Sequence, residues 1–175
     1  MTAPAGAPPP DDPVLSEALA WYVHARAVFS GGNEVQLLRG GDALFPAMIE
    51  AIGHATHEVW LATYIYGDDV AAQAVSTALV AAARRGVRVR VVVDGFGSLH
   101  ALAALREQLE PAGVALAVFR PTQRWWNWLQ PGQLRRLHLK LCVVDGQVGF
   151  VGGINVLDDR HDLNHGWGDT PRLDY

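Results

Sequence analysis

An α/β fold, built on a mixed, partly parallel β-sheet flanked by helices, is predicted for this chain from three observations. Strand-like runs rich in β-branched residues (EVWLATYIY, VRVRVVV, VALAVF) recur along the sequence. Helix-like runs separate them, and strand–helix–strand order calls for crossovers that leave the strands parallel. Later, Asp145-Gly146 sits between two apolar runs, the signal of a hairpin and so of antiparallel strands.

In order, residues 1–13 (MTAPAGAPPPDDP) carry too little apolar side chain to offset ordering and read as a flexible, Pro-rich leader. Residues 14–175 read as a single domain. Residues 14–29 fit a short helix ended by Gly31-Gly32, and residues 34–38 (EVQLL) suit a strand. Asp42 is expected to cap a helix to about His54, with Leu44, Met48 and Ile52 four apart on one face. Pro46 falls in its first turn, where a missing N–H costs least. Residues 58–66 form the next strand. Asp69 starts the clearest helix, which is Ala-rich, carries Arg84-Arg85 at its negative end and stops at Gly86. Residues 87–93 form a strand closing at Asp94, its arginines alternating with valines before the run turns fully apolar, as at a buried sheet centre. Residues 99–109 read as helix, 114–119 as strand, and 137–144 and 147–151 as the hairpin arms. Residues 158–175 are polar and irregular, and no internal repeat is seen.

Half of the 175 residues are apolar and 18% are charged, so the chain can bury a core and is not disordered as a whole. With 14 Lys and Arg against 18 Asp and Glu, the net charge of −4 argues against a nucleic-acid partner, whose phosphates favour basic surfaces. Cys142 is the single cysteine, which excludes an intrachain disulfide and fits a reducing compartment. The first 13 residues lack the basic and apolar regions of a signal peptide. No apolar run approaches the roughly 20 residues of a membrane-spanning helix.

The sharpest pattern is His138-Leu-Lys140, then Asp145 after four residues, then Gly152-Gly153-Ile154-Asn155 after six more. In a strand, His138 and Lys140 share one face, while Leu137, Leu139 and Leu141 are expected to enter the core. A buried cation needs an anionic partner. A phosphate ester offers charge to the lysine and an electrophilic phosphorus to the imidazole. The paired glycines allow close backbone approach, and the Asn155 amide can donate to a phosphate oxygen. The competing reading is a satisfied core histidine beside a lysine reaching for solvent; aspartate, double glycine and asparagine at these offsets weigh against it.

The run HLKLCVVDGQVGFVGGIN resembles the H-x-K-x4-D-x6-G-[SG]-x-N signature of the phospholipase D superfamily. Four features are similar to its bacterial cardiolipin synthase branch: Gly153 where many relatives carry serine, VRVRVVVDGFGS ending at Ser98, a Trp-rich segment before the motif, and LDY after it. The resemblance covers about residues 33–175 and implies a phospholipase D-like α/β sandwich. It also implies a phosphatidyltransferase working through a phosphohistidine on glycerophospholipids such as phosphatidylglycerol, with no metal and no cofactor. His138 is then the nucleophile, Lys140 and Asn155 hold phosphate oxygens beside Gly152 and Gly153, and Asp145 anchors the turn after the strand. Asp174, with Asp169 as the fallback, matches the carboxylate that orients the histidine, fixing its tautomer.

That family builds its active site from two such motifs, one histidine attacking and the other protonating the leaving group. This chain has one, since His24, His54, His57, His100, His161 and His165 are not followed by lysine two residues on. It is therefore expected to be the N-terminal half of a longer enzyme, truncated near Tyr175 as a strand begins, and inactive or weakly active alone. A second copy in trans, as in single-motif homodimeric nucleases, is the alternative. With water as acceptor the activity would be that of a phospholipase D hydrolase, and a lipid-binding module that kept the motif without catalysis is a further alternative.

Trp125, Trp126 and Trp128, with Arg124 and Arg135-Arg136 nearby, suit the headgroup region of a membrane surface. That places the chain peripherally on the cytoplasmic face of the membrane; capping of the core or packing on the other half is the competing role of these tryptophans. His161 and His165 are four apart, but no helix is predicted to align them as metal ligands. Gly95-Phe96-Gly97 resembles a dinucleotide loop only partly, because His100 stands where a third glycine belongs. Asp94, at the end of a buried strand, either lines the site or caps the turn.

Overall fold

The computed structural model describes residues 31–121, 136–162, 166–168 and 170. The chain divides into two units, Met1–Gln36 and Leu37–Tyr175. The predicted leader and the helix at 14–29 lie outside the described residues. Residues 34–38 form no strand: Val35 and Leu37 are exposed, and among the described residues no strand pairs with the segment. With only Val35, Leu37 and Leu38 apolar, the segment has little to bury.

Helix α1 (Gly41–His54) comes first and buries Phe45, Met48 and Ile52, with Pro46 in its opening turns. Its cap is a correction to the sequence reading. Gly40 is the N-cap, and Asp42 lies inside the helix. The buried carboxylate that receives the Gly41 N–H belongs to Asp159, 118 residues away. Asp42 instead pairs with Arg160 at 2.9 Å.

Strand β1 (Glu58–Thr63) leads into α2 (Val70–Arg84), capped by Asp69, whose Oδ1 accepts the Ala72 N–H at 3.0 Å. A cap of this kind stabilises a helix by about 1 kcal/mol. Strand β2 (Arg88–Asp94), helix α3 (Leu102–Leu109), a short 3-10 turn (Glu110–Ala112) and strand β3 (Ala115–Phe119) follow. Strands β1, β2 and β3 are parallel, joined through the two helices. The hairpin β4 (Lys140–Val144) and β5 (Val148–Val151) completes the sheet in the order β3-β2-β1-β4-β5, with β4 antiparallel to β1. At its turn Asp145 and Gly146 both have positive φ, as a type I′ turn requires, and the Gln147 N–H bonds to the Val144 carbonyl at 2.9 Å. Two short strands, β6 (His161–Asp162) and β7 (Gly166–Trp167), pair antiparallel within the stretch expected to be irregular.

Among the described residues the helices pack in sequence over one face of the sheet, as right-handed crossovers dictate. That face buries Val59, Leu61 and Thr63 of β1, Val89, Val91 and Val93 of β2, and Cys142 and Val144 of β4. The other face carries Trp60, with the Arg90 guanidinium 4.4 Å from a ring centroid, and Glu58 between Arg88 and Arg90 at 3.4 and 3.6 Å. Among the described residues no helix is long and apolar enough to cross a membrane.

Candidate active site

The site forms where β1 ends. Thr63, fully buried, pairs in register with Lys140, and the chain leaves the strand at Tyr64. The Tyr64 ring is the common neighbour of the motif's two basic residues. The His138 ring centroid lies 5.3 Å from it, tilted by 46°, and the Lys140 Nζ lies 5.5 Å from the Tyr64 centroid. His138 and Lys140 are therefore both neighbours of one ring at the end of β1. Lys140 presents its buried ammonium to a ring face, a favourable setting for a cation, while His138 stays exposed.

Two details of the strand reading are corrected. Strand β4 begins at Lys140, so His138 precedes it. Leu139 is 54% exposed and Leu137 and Leu141 only half-buried, so these leucines are not the core face. Lys140 alternates with Cys142 and Val144, and all three look toward the helices. Both faces of β4 are apolar, and the helix layer selects the one that is covered. Burial pushes the Cys142 thiol up to about 12, so it stays protonated and is no rival nucleophile.

Asn155 arrives from the other side. The Gly152 N–H meets the Lys140 carbonyl at 3.4 Å, and Gly152 and Gly153 are exposed. The Asn155 Oδ1 accepts the Ile65 N–H at 3.1 Å, which leaves its NH2 group as a donor. Val156 continues alongside, donating to the Ile65 carbonyl at 3.1 Å and accepting from Gly67 at 2.8 Å. Residues 64–67 and 155–157 thus run side by side, bringing His138, Lys140 and Asn155 to the carboxyl end of β1. Ligands of open α/β sheets bind at such strand ends.

Asp145 lies at the opposite end of β4, where its carboxylate binds the backbone before β1. Its carboxylate accepts the N–H groups of Thr56, His57 and Glu58 and the Thr56 hydroxyl, all within 2.9 Å. These bonds, led by those from Glu58 and Thr56, hold its carboxyl well below the usual range. A depressed folded-state pKa contributes stability that is complete above about pH 4, the unfolded value, and is lost as pH falls through the folded one. Asp145→Asn is therefore expected to be less stable at pH 7. Its denaturation midpoint should converge on that of the unchanged chain as pH falls from about 4 to about 2; parallel curves would remove this role.

Three contributions were not anticipated. Tyr64 looked like one more strand aromatic, and only the end of β1 at Thr63 turns its ring to the motif. Asp69 is more than a cap: its Oδ2 accepts the Asp158 N–H at 2.9 Å and lies 3.7 Å from the His161 Nδ1. With Asp159 on α1, it ties the segment after Asn155 to the starts of two helices. The Asp-rich string LDDR was the available signal. Asp94 does cap its turn, and it also reaches the backbone before His138. Among the described residues no group of three metal-ligating side chains forms. Asp174, Asp169, His165, Trp125, Trp126 and Trp128 lie outside the described residues.

A mixed five-stranded sheet with a histidine, a lysine and an asparagine gathered at the end of β1 defines a phospholipase D-like α/β domain. Comparison with known proteins agrees. Residues 48–166 match the family described as cardiolipin synthase, PLD-like domain. Cardiolipin synthase B of Salmonella typhimurium is 40% identical over 124 residues, 71% of this chain and 30% of that protein. Cardiolipin synthase 1 of Bacillus anthracis is 33% identical over 150 residues, 83% of this chain and 29% of that protein. Among solved structures, Nuc from Salmonella typhimurium, a phospholipase D family member, shares the fold with a TM-score of 0.54 at 22% identity, over 71% of this chain and 72% of Nuc. The chain belongs to the PLD-like domain family of cardiolipin synthases. It spans about 30% of the length of the curated relatives it matches.

Proposed function

We propose that this chain supplies one half of the active site of a cardiolipin synthase-type phosphatidyltransferase. The observation that carries the reading is that an exposed imidazole and a buried ammonium group both neighbour the Tyr64 ring. A nitrogen of His138 attacks the phosphorus of a phosphatidyl donor such as phosphatidylglycerol. The P–N bond forms as the P–O bond to the headgroup alcohol breaks, and that oxygen takes a proton from an acid on a second motif. An acceptor alcohol then attacks phosphorus, gives its proton to the same group and frees the imidazole. Lys140 and the Asn155 amide stabilise the charge on the phosphoryl oxygens. Asp174, downstream, orients the His138 ring.

The second motif comes from further polypeptide in cis or from another copy in trans. The greater length of the curated relatives supports the first arrangement. The test uses the assembled, active protein with phosphatidylglycerol labelled at phosphorus and quenched during turnover. Label bound to protein, stable to base and released by acid, is expected at His138. Turnover with no such adduct would overturn the reading.

Trp125, Trp126 and Trp128, with Arg124 and Arg135, dock the chain on an anionic bilayer from its cytoplasmic side. Replacing the three tryptophans with serine is expected to reduce co-sedimentation with phosphatidylglycerol vesicles severalfold, and unchanged partitioning would remove the role.

A further inference from the structure

The turn Asp94-Gly-Phe-Gly-Ser98, which resembles a dinucleotide loop only partly, follows β2. Asp94 is fully buried at the end of β2, the neighbour of β1. One of its oxygens, Oδ1, accepts the N–H groups of Phe96 and Gly97 at 2.9 and 3.2 Å. The other, Oδ2, accepts the N–H of Leu137 at 2.8 Å, 43 residues away and adjacent to His138. The Arg136 guanidinium lies 4.0 Å from Oδ1 and 4.9 Å from the Phe96 ring centroid.

The same turn grips the other neighbour of His138. The Ser98 hydroxyl donates to the Tyr64 carbonyl at 3.1 Å and accepts the Tyr66 N–H at 2.9 Å. Gly97 lies so close that a Cβ there would stand 2.4 Å from the Tyr64 carbonyl oxygen, which only glycine avoids. One turn therefore fixes the backbone before His138 and the residue whose ring His138 rests against. A turn cap alone would need the bonds to Phe96 and Gly97 and not the one to Leu137.

We propose that Asp94 is a positioning residue for His138: its buried carboxylate fixes the backbone at Leu137 and so sets the imidazole against the Tyr64 ring. The proposal deepens the reading of His138 as the attacking group and rests on it. Three N–H donors use both carboxylate oxygens, and an amide in their place has one acceptor. In Asp94→Asn that acceptor stays with Phe96 and Gly97, which offer two donors, and the bond to Leu137 is lost.

The experiment is nuclear magnetic resonance on the full chain. In the unchanged protein the Leu137 amide is protected from hydrogen exchange, and the His138 ring protons carry a ring-current shift from Tyr64. Asp94→Asn is expected to speed Leu137 exchange by about tenfold, the loss of a charge-assisted bond, and to move the His138 resonances toward those of free histidine. Tyr64→Leu should move the same resonances while leaving Leu137 protected. An unprotected Leu137 amide in the unchanged protein overturns the proposal without any variant. So does an Asp94→Asn chain that unfolds at the same midpoint with Leu137 exchange and His138 resonances unaltered. In the active assembly Asp94→Asn should lower kcat with KM unchanged; equal changes in both would overturn it. The resonances do not depend on turnover. If His138→Ala stays active while they behave as described, it is the proposed function that fails and not the geometry.

Discussion

His138→Ala, introduced into the assembled and active protein, is expected to reduce phosphatidyl transfer below about a hundredth of its original rate. The expectation follows from where the side chain stands. His138 is exposed and precedes β4, so its loss opens no cavity and removes no strand bond. Lys140 is held by the sheet register with Thr63, and Asn155 by its bond to Ile65, so both side chains keep their places. Only the imidazole disappears. Substrate affinity should therefore change little while kcat collapses, measured as headgroup release from phosphatidylglycerol beside a thermal-unfolding control. Activity above about a hundredth in a folded variant would contradict a covalent role for this imidazole.

Lys140→Ala is expected to cost about 10²–10³ in rate, the scale for removing one preorganised donor to developing negative charge. The substitution also removes the aliphatic stem beside Tyr64, so it mixes packing with charge. Lys140→Met separates the two: it keeps the stem and deletes the ammonium. If charge is what the site uses, both variants should lose activity to within about threefold of each other, and inorganic phosphate should bind more weakly to each. A Met variant that retains most of the rate would assign Lys140 to packing and leave phosphate to other groups.

Much of this architecture is written in local chemistry. Asp69, the alanine run, Arg84-Arg85 and Gly86 each specify helix α2 from within a few residues. Asp145-Gly146 does the same for the hairpin, and the spacing from His138 to Asn155 marked the residues that meet at the end of β1. What stayed hidden was decided at long range. Strand alternation shows that Lys140 and Leu141 face opposite ways, but not which way the helices lie; with Leu141 and Val143 on one face and Cys142 and Val144 on the other, periodicity could not choose. Asp42 looked like a cap because it precedes an amphipathic run, yet Asp159 receives the Gly41 N–H from a loop 118 residues away. The bond from Leu137 to Asp94 spans 43 residues and leaves no mark on either neighbourhood. The segment at 34–38 shows the opposite error, a strand-like composition that pairs with no strand among the described residues.

The pairing of β4 with β1 has a consequence for synthesis. The three parallel strands emerge from the ribosome first, and until the later hairpin arrives, the outer side of β1 is a row of unsatisfied amides and carbonyls. A nascent chain halted before residue 140 is expected to stick to its own kind along that row. The end of β1 beside His138, Lys140 and Asn155 is thus among the last parts to assemble, and the same pairing covers the open side of β1.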